Sequence, residues 1–350
     1  MQEIEHLERY KILLILILTL SLKAELPTNI KFAAKVYSGI TNVLNENYAQ
    51  AKKDFNFFKE KNPDSPLGSI LYAGALIFER EHLNYYLETK EIDSLLYSAQ
   101  DFCEDNLDVD PDDLWNNYLM ALTKTYQTYW KLFQSNYVDG FADGFIALQY
   151  FERCLEIDSS FIEAQVVIGN YNYWSSVKTE SLHWLPFIED KRESGLKSLE
   201  LALKHKFLNR DFALISLCYA YLNEERYLGA ANLAETLRKK YPQSSKIKLL
   251  LAKANEKLEP QKSVQLYKEL IRQYEKDNFE NPYKLIELKS NLANLYYNLG
   301  RFSEANKICE DVLSMPRIDV KYQIEVLPLI QQIVELKDST KIRLETLPKN

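Results

Sequence analysis

An all-α fold, a right-handed superhelical solenoid of about seven helical hairpins with a C-terminal capping helix, is predicted for this 350-residue chain by three observations. A small residue recurs ahead of a bulky or apolar one and then a helix breaker: Ala51, Phe55 and Pro63; Ala99, Cys103 and Pro111; Ala147, Phe151 and Ser159; Ala230, Ala234 and Pro242. Ala51, Ala99, Ala147 and Gly195 stand at equal steps of 48 residues, after which the step shortens to 35 at Ala230. Such a period marks stacked units, none of which buries its apolar face alone. Gly (9) and Pro (11) are scarce, so long helices are permitted.

The elements follow in chain order. Ile12 to Leu22 is an apolar run flanked by Arg9, Lys11 and Lys23. It is too short to span a bilayer and fits the core of an export signal cleaved after Ala24. A buried capping helix and an uncleaved anchor are the other readings of the run. The first hairpin covers 32 to 65. In the second, the extra residues Leu83 to Leu96 read as helix. In the third, Leu114 to Phe133 is a long helix with Tyr118, Leu122, Tyr126, Tyr129 and Trp130 in helical register, followed by a Gly-rich turn from Asp139 to Gly144. The fourth has a first helix through Ile168, Gly169 and Tyr173, then a loop from Ser175 to Pro186. The fifth carries Leu214, Leu217, Cys218 and Tyr221, then Tyr227, Ala230, Ala234 and Leu237. The sixth is irregular, with Val264 and Tyr267 at the usual small and bulky places. In the seventh, Leu292, Ala293 and Tyr296 line one helix, Gly300 permits the turn, and Phe302, Ala305, Cys309 and Val312 line the next before Pro316. Val320 to Leu336 reads as a final capping helix kinked near Pro328.

These residues resemble the tetratricopeptide repeat, with its Leu-Gly-x-x-Tyr first helix, Ala-x-x-x-Phe second helix and terminal Pro. The resemblance covers Phe32 to Asp319 and is strongest at 211 to 244 and 286 to 319. The segment Tyr129 to Leu203, with Ile168-Gly169-Asn170-Tyr171-x-Tyr173-Trp174 and Trp184-x-Pro186-Phe187, is also similar to bacterial envelope-associated tetratricopeptide proteins. The expected organisation is a signal peptide at 1–24, enlarged repeats at 25–210, repeats of standard or slightly longer period at 211–319, and a capping helix and tail at 320–350.

A net charge of −7 with both signs interspersed leaves no basic stripe for nucleic acid. No transmembrane span is expected in the mature chain. Cys103, Cys154, Cys218 and Cys309 fall at small or apolar core positions, without metal or redox spacing. No cofactor or metal site is implied.

The densest unusual cluster joins Trp174, His183, Trp184, Phe187, Asp190 and Arg192 around the fourth loop. One reading is a ligand or peptide pocket with aromatic anchors and polar handles; the other is a loop held down by packed rings. Stacking of a small molecule or carbohydrate on Trp174, Trp184 and Tyr173 is an alternative. An enzyme centred on His183 would need a nucleophile and an oxyanion or metal partner that no motif supplies. The family resemblance implies binding of a peptide or partner protein on the concave face built by the first helices. By periodicity that face carries Asn170, Tyr173, Tyr219, Asn294 and Tyr297. Asn170 and Asn294 match the backbone-binding Asn of a carboxylate-clamping subclass, but Val166 and Ser290 occupy the clamp-lysine places. The expected function is a non-catalytic, exported interaction scaffold, periplasmic or otherwise associated with the cell envelope, with a cytoplasmic chain as the alternative.

Overall fold

The computed structural model describes residues 32–83, 90–180, 189–205, 210–277, 282–315 and 320–346. Among them every extended element is α-helical: α1 (Ala33–Leu44), α2 (Tyr48–Lys61), α3 (Leu67–Leu83), α4 (Lys90–Val109), α5 (Leu114–Phe133), α6 (Tyr137–Ile157), α7 (Ile162–Lys178), α8 (Arg192–Lys204), α9 (Arg210–Asn223), α10 (Tyr227–Lys240), α11 (Ser245–Leu258), α12 (Pro260–Asp277), α13 (Tyr283–Asn298), α14 (Phe302–Leu313) and α15 (Val320–Thr346). They succeed one another as seven pairs and a final helix, as the repeat predicts. The export-signal reading, and the residues flanking its run, lie outside the described residues.

The chain forms two compact units. One comprises residues up to Glu81, Leu87–Glu224 and Lys239–Ser244; the other comprises His82–Tyr86, Glu225–Arg238 and everything from Ser245. The fifth pair is thus shared between them.

A recurring turn sets the hairpins. Glu46, Ser135, Glu225 and Gly300 all adopt left-handed backbone, with φ of 61°, 62°, 54° and 70°. In three of these turns an amide three residues past the helix end reaches back five residues: Asn47 to the Asn42 carbonyl at 2.8 Å, Asn136 to Lys131 at 2.8 Å and Arg301 to Tyr296 at 2.9 Å. This is the Schellman closure of a helix C-terminus. Only Gly300 adopts it without a Cβ penalty.

Five residues after each such turn stands a residue whose smallness matters: Ala51, Gly140, Ala230 and Ala305, all buried. The Gly-rich stretch from Asp139 is therefore not a turn but the start of α6. A Cβ on Gly140 would come within 2.7 Å of Leu132 Cγ on α5, and one on Gly195 within 2.5 Å of the Gly169 carbonyl and 2.6 Å of the Tyr173 nitrogen. These glycines admit close helix approach rather than chain reversal. In the sixth pair the small residue is Ser263, not Val264: it is fully buried and donates to the Ala252 carbonyl at 2.8 Å, with buried Tyr267 one turn later. The fourth-pair loop also starts later than expected, because α7 continues to Lys178.

The first unit is organised around α5. From Asn117 to Trp130 every residue of this helix is buried, polar ones included, so it has no solvent face. Phe78 of α3 stacks on Phe212 of α9 (centroids 5.8 Å apart, 18° between planes) and touches Tyr129 of α5 at 6.0 Å. Two buried carboxylates of this unit are paired with lysines. Asp143 of α6 accepts from Lys124 (3.4 Å) and Lys131 (2.5 Å) of α5. Asp54, 1% exposed, accepts from Lys35 at 2.7 Å, Ser38 at 2.6 Å, Asn42 at 3.2 Å and Gln50 at 3.1 Å. In the second unit α15 packs on α13 and α14 through Val326, Leu329 and Ile333. Lys289, nearly buried, bridges Glu275 at 2.8 Å and Asp311 at 2.5 Å.

Candidate functional site

The loop cluster divides when followed from its helices. Trp174 is 3% exposed, edge-on to Tyr173 at 4.9 Å, and its buried indole N–H finds no acceptor among the described residues. A ring so enclosed is no stacking platform, which removes Trp174 and Tyr173 from the carbohydrate reading. His183, Trp184 and Phe187 lie outside the described residues. Asp190 and Arg192 occupy the start of α8, where the guanidinium Nε donates to both Asp190 oxygens at 2.9 and 3.0 Å and Nη1 to Glu180 at 3.0 Å. The two proposed polar handles thus hold each other. Lys178, at the end of α7, was passed over in the sequence; burial pushes its ammonium down to about 7.

Two of the five concave-face candidates are structural joints. Asn170 is 1% exposed and its Oδ1 accepts from Ser216 of α9 at 2.7 Å. Tyr173 is fully buried; its phenol donates to Glu224 at 2.8 Å and accepts from Asn223 at 2.9 Å. Burial, reinforced by the Glu224 carboxylate, pushes that phenol up. Asn170 and Tyr173 share one face of α7, and α9 packs over it. Tyr219 of α9 is half-buried and lies near Tyr129 of α5. It borders an interior already filled by Phe78, Tyr129 and Phe212.

Asn294 and Tyr297 differ. On α13, Asn294 is exposed, its amide donating to the Ser290 carbonyl one turn back at 3.0 Å. Tyr297 is half-buried against Phe302, centroids 5.3 Å apart. The bond from Ser263 to Ala252 marks Ala252 as the counterpart of Ala293, so Lys253 on α11 corresponds to Asn294 on α13. Lys246, Leu249, Lys253 and Lys257 then form a helical stripe, the first three half-exposed and the last exposed. Sequence reasoning missed this stripe because the sixth pair was set one residue out of register; Ser263 followed four residues later by Tyr267 was the available signal. Among the described residues no cluster of His, Cys, Asp and Glu could hold a metal ion, and no helix is long and apolar enough to cross a membrane.

Residues 285–317, which span α13 and α14, match the family model of the tetratricopeptide repeat. No curated protein matches the chain. Among solved structures, the fold is similar to one in the crystal structure of the APC/C hetero-tetramer Cut9–Hcn1, with a TM-score of 0.50 and 11% identity over 94% of this chain. This chain spans 58% of that one's length. The P58(IPK) TPR domain gives a TM-score of 0.31 at 15% identity, covering 91% of this chain and 99% of that one. A human IFIT1 dimer with PPP-AAAA gives 0.40 at 15% identity, covering 98% and 84%. Likeness at such identities concerns the fold alone: an all-α, tetratricopeptide-like solenoid.

Proposed function

We propose that this tetratricopeptide-repeat protein is a non-catalytic scaffold that binds an extended, acidic segment of a partner protein along α11 and α13 of its second unit. One observation carries the reading: Asn294 is exposed and its counterpart Lys253 half-exposed, whereas Asn170, on the same repeat position in the first unit, is sealed under α9. Lys246, Lys253 and Lys257 favour carboxylates. Exposed ion pairs contribute only about 0.2–1 kcal/mol each, so these lysines would select and steer the partner more than hold it. Tyr297 and Leu249 supply apolar area for affinity, and Asn294 a hydrogen-bonding amide for an extended backbone. Helices already packed lose little freedom on binding. The apolar run Ile12–Leu22 supports export, which N-terminal sequencing of the mature protein would test.

A random peptide library selected against the full chain tests the binding face. Enrichment of Asp- and Glu-rich peptides whose binding weakens at least about tenfold in Lys253→Glu and in Tyr297→Ala, with unchanged thermal unfolding, is expected. Enriched peptides indifferent to both substitutions would remove this face from the proposal.

A further inference from the structure

Glu163 lies in the first turn of α7 with 0% exposure, and neither carboxyl oxygen meets a hydrogen-bond donor among the described residues. Its neighbours along the helix, Phe161, Ile162, Ala164, Val166 and Val167, are buried as well. Two titratable groups lie close enough to feel its charge, Tyr118 from α5 and Cys154 from α6, and both are held neutral: burial pushes the Cys154 thiol up to about 12 and Tyr118 well above its ordinary value. Both are acids, so neither supplies a counter-charge. A helix N-terminus does favour an anion in its first turn. That partial charge does not replace a hydration shell, and burial accordingly raises the Glu163 carboxyl well above the usual carboxylate range. A carboxylate without water or donors must take up a proton or admit water.

We propose that Glu163 is a proton-operated latch on the fourth hairpin. With the carboxyl protonated, the first turn of α7 closes against α5 and α6; ionisation draws water into that junction and lets the turn open. Beyond the latch, α7 stays anchored to α9, because Asn170 holds Ser216 and Tyr173 holds Glu224.

The sign of the pH dependence follows. A carboxyl raised in the folded state stabilises the closed turn fully below its unfolded value and loses that contribution as pH rises through the folded one. Lys178, lowered by burial at the other end of α7, acts in the opposite sense as pH falls through about 7. Lys178 stands at the far end of α7 from residues 161–166, so a variant that lacks only the carboxyl isolates the latch.

The test is hydrogen exchange of amides 161–166 in the full chain, corrected for intrinsic rates, from about pH 5 to about pH 9 in wild type, Glu163→Gln and Glu163→Leu. In wild type the opening equilibrium should grow by up to about tenfold per pH unit above the ordinary glutamate range, with both variants flat and α13 unaffected throughout. An equal slope in wild type and either folded variant overturns the latch. So does a wild-type opening at 161–166 that does not change with pH, a result that needs no variant.

Discussion

The two units use one repeat in opposite ways. In the first, helices of up to 21 residues surround α5, and the faces that repeat periodicity marks as binding surface are occupied by the unit's own Phe78, Tyr129, Tyr173 and Phe212. In the second, α11, α13 and α14 have 14, 16 and 12 residues, and Lys253, Asn294 and Tyr297 remain accessible. Repeat position alone does not determine exposure. What covers a given face is set by which later helix reaches it.

The largest expected effect falls on the packed unit. Gly195→Val puts side-chain atoms where the Gly169 carbonyl and Tyr173 nitrogen already stand, neither of which can rotate away. It should cost about 3 kcal/mol in denaturant unfolding; a loss under about 1 kcal/mol would mean the α7–α8 contact is loose. Asp54→Asn comes next, at about 1–3 kcal/mol, since one carboxylate organises four donors. Although burial opposes it, hydrogen bonds from Lys35, Ser38 and Gln50 lower the Asp54 pKa. Its stabilisation is present above the unfolded value and disappears as pH falls through the folded one, so the variant should flatten the acid limb of a stability–pH profile. An unchanged limb would assign acid unfolding to other carboxylates.

Glu225→Gly should stabilise by about 0.5–1 kcal/mol, because glycine takes a φ of 54° without the Cβ clash. A neutral result would show that the gain is cancelled by greater freedom of the unfolded chain. Smallest of all, Asn294→Ala should shift the unfolding midpoint hardly at all while weakening peptide binding. If stability falls instead, this exposed amide belongs to the fold, and the contrast between the units narrows.

Seven helix pairs and a capping helix were legible because Ala51, Ala305 and their bulky partners repeat a constraint that each hairpin must meet. Gly300 was legible as a turn, being a glycine. Glu46 and Ser135 were not, since a closed Schellman hydrogen bond holds non-glycine residues in the same conformation. Gly140 misled for the converse reason: a glycine serving close packing inside a helix looks, in sequence, like one serving a turn. The site was less legible. Asn170 and Asn294 are equivalent by repeat position and differ only in whether a later helix lies across them, a long-range property that no local spacing records.

One further consequence lies in the cysteines. Cys103, Cys154, Cys218 and Cys309 are buried thiols in the second, third, fifth and seventh pairs. Burial raises every thiol, to about 12 at Cys103 and Cys154 and about 11 at Cys309, so in the closed fold each is protected and a poor nucleophile. Each sulfur would become reactive only when its own hairpin breathes. The chain therefore carries four built-in clocks, and the order in which a thiol reagent modifies them would report, without any engineered label, the sequence in which the array loosens.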